Sequence, residues 1–275
     1  MKKILVPIDF SKPSEYAAKM AAEIAKKTAA TVYLIHLIEL PSGIVDMGSR
    51  SKFSIPESML YLRKTKEKII VFKEKNFPKD IKVEYFIKIN NPFEGIKKYA
   101  HKIDANLIVM GSKGHSEFEE IMIGSNTEKV VRTSTIPVII VKKGNENFKL
   151  KKIVFASNFK KEDKAVFNKF IDFANLFKSK VHLLKINTPS KFESSREAIK
   201  KIKRFIKRHE LPKYSINIYN DTSVEKGILN FSKDNNSDLI ALRTHGRSGL
   251  SHLFSPSISK KISKFAAIPI LTIKG

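Results

Sequence analysis

The sequence contains no cysteine and no tryptophan. Without cysteine there can be no disulfide framework, no thiolate metal site and no cysteine nucleophile, and the chain suits a reducing compartment. Long apolar runs are also missing. Met1-Lys2-Lys3 leads into an apolar run only from Ile4 to Ile8, stopped by Asp9. That is too short for the core of a signal peptide or for a bilayer span, and no later stretch reaches membrane length. A cytoplasmic protein without membrane contact is expected. Arginine is scarce: of 52 basic residues 44 are lysine and 8 arginine, against 27 acidic residues, for a formal charge of +25. Such a charge invites a nucleic-acid reading, but bidentate readers of phosphates and bases favour arginine. The lysines are spread over nearly every expected helix, so a solvated basic surface is the reading and nucleic acid is not an expected partner. No Gly-x4-Gly-Lys-Ser/Thr stretch occurs, and no paired carboxylates or nucleophile–base arrangement stands out. No catalytic residue and no protein-borne metal site is assigned.

What the sequence does have is an internal repeat. Lys2-Lys3-Ile4-Leu5-Val6-Pro7-Ile8-Asp9-Phe10 restarts 149 positions later as Lys151-Lys152-Ile153-Val154-Phe155-Ala156-Ser157-Asn158-Phe159. Asn106-Leu107-Ile108-Val109-Met110 recurs as Asp238-Leu239-Ile240-Ala241-Leu242, and Ile136-Pro137-Val138-Ile139-Ile140 as Ile268-Pro269-Ile270-Leu271-Thr272, both at an offset of 132. The second copy is therefore 17 residues shorter. Because Val32 still aligns with Val181 at 149, the deletion falls between the second and third strands, where the first copy carries the Gly- and Ser-rich stretch 39–58. That stretch reads as a loop beside the site.

Each copy alternates apolar strands with helix-period segments. In the first, strands are expected at 3–8, 31–38, 83–89, 107–110 and 137–141, and in the second near 152–157, 180–186, 215–219, 239–242 and 269–273. The first helix, from about Ser14 to Thr28, places Ala17, Ala21, Ile24 and Ala25 on one face; others start near Pro56, Pro92 and Gly124-Ser125. This pattern is α/β: a parallel sheet covered on both faces. The expected domains are 1–142 and 151–275, joined by a short polar linker at 143–150.

In an open parallel sheet, ligands bind beyond the carboxyl ends of strands where the order reverses. The first strand ends in Pro7-Ile8-Asp9; the fourth runs into Met110-Gly111-Ser112-Lys113-Gly114, followed nine residues later by Gly124-Ser125-Asn126-Thr127. Glycines allow close backbone approach, and the free N–H groups of a helix start favour an anion. Ser125 and Thr127 offer hydroxyls, Lys113 and His115 charge, and Asp9 a carboxylate for ribose hydroxyls. His36, at the end of a buried strand, reads as structural.

The set Gly-x2-Gly-x9-Gly-Ser, carried by Gly111, Gly114, Gly124 and Ser125, resembles the universal stress protein family in its tandem form. The opening residues 3–9, His36, and Ser134-Thr135-Ile136-Pro137-Val138-Ile139-Ile140-Val141 match as well. The resemblance implies two Rossmann-like (adenine nucleotide alpha hydrolase-like) domains, each a five-stranded sheet of order 3-2-1-4-5. It implies ATP across strands one and four, with an accompanying Mg²⁺ left open. Asp9, with Pro7 beside it, would hold the ribose, the backbone near Leu37 the adenine, and Met110 to Gly114 with Gly124, Ser125, Asn126 and Thr127 the phosphates. Family members often carry His-Gly-Arg or His-Gly-Lys where this chain has Lys113-Gly114-His115, so no histidine role is carried over.

The second copy departs from this pattern. Asn158 replaces Asp9, Arg243 replaces Gly111, Pro256 replaces Gly124 and Ala156 replaces Pro7; Gly246 and Ser257 remain. Proline lacks an N–H and deletes a donor at the helix start. This copy is expected to bind ATP poorly, with Arg243 and Arg247 holding another anion as the alternative. The leading function is a non-catalytic, nucleotide-dependent stress-response regulator. A slow ATPase or phosphotransferase using Asp9 and Mg²⁺ is the alternative enzyme reading. A second alternative is polyanion binding by a helix over 196–209, with Ala198, Ile199, Ile202, Phe205 and Ile206 inward and six basic residues outward. By the resemblance, strands 137–141 and 269–273 are expected to pair within the chain; a further homodimer is left open.

Overall fold

The computed structural model describes residues 1–39, 55–112, 124–142, 148–211, 213–244 and 268–275. Lys113, Gly114, His115, Gly246, Arg247, Pro256 and Ser257 lie outside the described residues, as do 143–147 and most of the 39–58 stretch. The first repeat contains β1 (Lys3–Pro7), α1 (Lys12–Thr28), β2 (Thr31–Ile38), α2 (Ile55–Asn76), β3 (Val83–Ile89), α3 (Pro92–Lys102), β4 (Leu107–Gly111), α4 (Ser125–Thr133) and β5 (Val138–Val141). The second contains β6 (Lys152–Ala156), α5 (Lys164–Leu176), β7 (Lys180–Asn187), α6 (Ser195–Ile206), β8 (Tyr214–Asn220), α7 (Val224–Asp234), β9 (Leu239–Thr244) and β10 (Ile270–Lys274).

The strands form one ten-stranded sheet in the order β3-β2-β1-β4-β5-β10-β9-β6-β7-β8. Each half has the order 3-2-1-4-5, with parallel pairing throughout. The central strands read as continuous apolar runs because both faces are covered: Ile4, Leu5, Val6, Leu107, Ile153, Val154, Phe155 and Leu239 are fully buried. β5 and β10 meet antiparallel, with Ile140 opposite Ile270, Ile139 opposite Leu271 and Val138 opposite Thr272. The Thr272 hydroxyl donates to the Val138 carbonyl at 3.1 Å.

The face carrying α1, α2, α5 and α6 has one contiguous core spanning both repeats, while the opposite face has two separate clusters under α3–α4 and α7. Ala17, Ala21, Ile24 and Ala25 form the buried face of α1. That helix starts two residues earlier than the periodicity indicates. Ser11 is its cap, accepting from the Ser14 N–H, and Pro13 sits in the first turn, where its missing N–H costs nothing. In α6 the inward face is Ala198, Ile202, Phe205 and Ile206. Ile199, expected with them, is 36 % exposed because it sits at the edge of the helical stripe.

The repeat extends to backbone detail. Among the described residues, the six non-glycine residues with positive φ form three matched pairs: Phe10 and Phe159, Ala29 and Lys178, Asp104 and Asn236. They are spaced by 149, 149 and 132 residues, the same offsets as the sequence repeat. Asn106 Oδ1 accepts from the N–H groups of Lys2 and Lys3, and Asp238 Oδ2 accepts from those of Lys151 and Lys152. Each central strand is thus held at its start by one side chain from the loop before the fourth strand.

Candidate functional site

At the carboxyl ends of β1 and β4 lies a cavity of about 350 Å³, within the range of small-molecule sites. Of the expected residues, Pro7, Asp9, Leu37, Met110, Gly111, Gly124, Ser125, Asn126 and Thr127 line it. Ser112 does not: it is buried, and its N–H donates to the Val141 carbonyl, which turns it toward β5.

The floor is apolar, formed by Ile35, Leu37, Ile96 and Met110. Ile8 N–H donates to the Ile35 carbonyl at 2.9 Å. Residues two apart in a strand direct their backbone groups to the same side, so the N–H and C=O of Leu37 also face the β1 side. There β1 has already ended, so both groups open toward the cavity and can pair with the edge of a flat heterocycle. Gly95 packs directly under this floor. A Cβ there would lie 2.5 Å from Leu37 Cδ2, so any larger residue in the first turn of α3 would force the Leu37 side chain to shift.

Asp9 follows β1, just before the positive-φ Phe10. Its Oδ1 accepts from the Ser11 N–H at 3.0 Å and the Ser11 hydroxyl at 2.5 Å. It is the one titratable side chain among the described lining residues. His36 sits behind it. Its Nδ1 lies 2.9 Å from the Ile8 carbonyl oxygen and its ring is 4.7 Å from that of Phe10, which supports the turn and gives the histidine a structural place.

At the other end, Gly124 caps α4 without a side chain to offer. The N–H groups of Ser125, Asn126 and Thr127 open the helix and have no intrahelical acceptor, which makes this an anion-favouring end. Two expected donors are engaged elsewhere. The Gly124 N–H donates to the Ser112 carbonyl and the Thr127 hydroxyl to the Gly111 carbonyl, 3.0 Å away. These bonds tie α4 to the end of β4. Gly111 also answers to the packing of α1. Its φ is not positive, and a Cβ there would meet the Pro13 carbonyl carbon at 2.7 Å, so its smallness admits the start of α1.

Ile8, Ser14, Ile35, Pro92 and Ile96 also line the cavity and were not singled out from sequence. Ser14 carries a usable signal: at the offset of 149 it faces Asp163, a small neutral residue matched by a charged one. No group of three or more His, Cys, Asp or Glu side chains among the described residues could hold a metal ion. Asp9 alone would not hold Mg²⁺, so the described donor set fits such an ion only alongside ligand phosphates.

The same region of the second repeat holds a cavity of about 200 Å³. Arg243, an anion donor only in the alternative reading, directs Nη1 to Asp163 Oδ1 at 2.6 Å, with the two side chains 14 % and 9 % exposed. Asp163 Oδ2 also accepts from the Ser157 hydroxyl and the Lys160 N–H. Burial by itself would raise the Asp163 carboxyl, but the bonds from Arg243, Ser157 and Lys160 and the Arg243 charge outweigh it and hold it below the ordinary aspartate value.

Among the described residues no helix is long and apolar enough to cross a membrane. A universal stress protein of Methanocaldococcus jannaschii is 33 % identical over 144 residues, spanning 52 % of this chain and 82 % of its own length. Another from the same organism is 32 % identical over 160 residues, spanning 52 % of this chain and 96 % of its own. Over the whole chain, the crystal structure of a universal stress protein from Archaeoglobus fulgidus DSM 4304 superposes with a TM-score of 0.74 at 18 % identity, covering 99 % of this chain and 98 % of the other, which shows a shared fold. The sequence model of the universal stress protein family matches residues 1–142 and again 149–274. The chain belongs to the universal stress protein family and carries two copies of its domain.

Proposed function

We propose that the first repeat binds ATP in the cavity between β1 and β4 and that the chain is a non-catalytic, nucleotide-dependent regulator acting in the cytoplasm. The observation that carries this reading is the layout of the cavity. An apolar floor with an open backbone edge at Leu37 would take the adenine. Asp9 would accept from the ribose, its Oδ1 already steadied by Ser11. The open first turn of α4 would receive the phosphates, and Mg²⁺, where present, would neutralise charge on them. No second carboxylate or histidine among the described lining residues is available as a general base, which supports binding over turnover.

The two repeats are proposed as domains 1–142 and 151–275 joined by 143–150. Their antiparallel β5–β10 seam supports a single chain standing in for a dimer of one-domain relatives. Calorimetric titration of ATP with stoichiometry tests the proposal. One site per chain, weakened in Asp9→Ala, is expected. Absence of binding refutes it, and sustained hydrolysis that tracks the protein and vanishes in Asp9→Ala would establish the enzyme reading.

A further inference from the structure

The crevice of the second repeat is not a blank version of the first. Its apolar floor is retained residue for residue. Leu184, Ile186, Ile228 and Leu242 stand at the repeat positions of Ile35, Leu37, Ile96 and Met110 and line the cavity in the same way. Gly227 lies against Ile186, with a Cβ there 2.8 Å from Ile186 Cγ2, as Gly95 does against Leu37. Ser157 N–H donates to the Leu184 carbonyl at 3.1 Å, so the backbone of Ile186, like that of Leu37, opens past the end of its neighbouring strand. A surface for a flat ring and a hydrogen-bonding edge beside it are both present.

The polar end has been rebuilt. Asp163 stands where the first repeat has Ser14, and Arg243 where it has Gly111, so two small residues are replaced by a bonded carboxylate–guanidinium pair. Lys160 and Glu162, also on the rim, approach each other to 4.0 Å. The formal charges of these four groups cancel, and the carboxylate accepts from three donors. An entering phosphate would meet a guanidinium already paired and a carboxylate held in its charged form, whereas a neutral ligand meets neither cost. Asn158, exposed at the position of Asp9, offers an acceptor and a donor to hydroxyl groups.

We infer that the second crevice is a binding site for a neutral heterocycle of the nucleoside class, with its phosphate end closed by the chain's own Asp163–Arg243 pair. The choice of a purine ring rests on the reading of the first crevice; the exclusion of phosphate does not. The test is calorimetric titration of adenosine, AMP and ATP into the full chain, Val224→Trp and Asp163→Asn. Val224 is 37 % exposed at the cavity mouth, so tryptophan there narrows the site without entering the core. Ala156→Leu, from another wall, is the companion variant if that one misfolds. Adenosine is expected to occupy a site that Val224→Trp removes while ATP stoichiometry stays unchanged. At that site AMP is expected to bind about tenfold or more weaker than adenosine, and Asp163→Asn to narrow the gap. Adenosine binding indifferent to both cavity variants, or AMP equal to adenosine at the Val224-dependent site, overturns the inference. ATP binding nowhere, with the Val224-dependent adenosine site intact, defeats the reading of the first repeat and leaves this one standing.

Discussion

The open first turn of α4 can be tested by deleting a single backbone donor. Ser125→Pro removes the N–H at the first helical position, the one place in a helix where proline fits without strain. The preceding residue, Gly124, already has φ −58° and ψ 142°, the extended conformation that a residue before proline prefers. The fold should therefore be unchanged, with the same melting temperature and circular dichroism. A hydrogen bond to a charged acceptor contributes about 1.5–3 kcal/mol. Loss of the Ser125 donor should then weaken ATP binding by about ten- to a hundredfold, with a smaller effect on adenosine. Ser125→Ala, which keeps the N–H and loses only the hydroxyl, separates the two donors and should weaken binding much less than the proline variant. Equal affinity of wild type and Ser125→Pro for ATP, with both folded, would refute the placement of phosphate at this helix.

Gly95→Ala should push a Cβ into Leu37, an overpacking expected to cost about 1–3 kcal/mol, and should lower both the thermal midpoint and ATP affinity; an unchanged midpoint would refute the close approach. Because the Asp163 pKa is depressed on folding, the stability it contributes is present above the unfolded value near 3.9 and is lost as pH falls through the folded value. Asp163→Asn should cost about 3 kcal/mol in urea denaturation at neutral pH, since it leaves Arg243 without its charge partner, and the gap should close below about pH 4. In the buried His182, burial and then the charges of Lys180 and Lys152 lower the pKa, and its Nδ1 lies 2.9 Å from the Ser215 hydroxyl. Its contribution is present above about pH 6.5 and declines as pH falls toward the folded value, so His182→Gln should flatten the stability profile between about pH 5 and 7.

The strand positions were legible in the sequence because each is a local pattern repeated twice, whereas the strand order, and with it the crevice between the first and fourth strands, came from the family resemblance. Buried strands must be continuously apolar, Asp9 must follow the first strand, and glycine and serine must open α4. The duplicated motifs at offsets of 149 and 132 even located the shortened connection. The reasons behind individual residues belong to the tertiary structure. That Gly111 answers to Pro13, that Gly95 answers to Leu37, and that the Thr127 hydroxyl turns back to Gly111 depend on distances between elements far apart in the chain. The pairing of Arg243 with Asp163 is the clearest case. From sequence, an arginine at a lost glycine looks like a cation waiting for an anion, because nothing local names its partner 80 residues away. Only the meeting of the β9 end with the α5 start decides that the anion is already part of the protein. Periodicity and composition report which surface each element buries; which side chains of two buried surfaces touch depends on the three-dimensional packing of those elements.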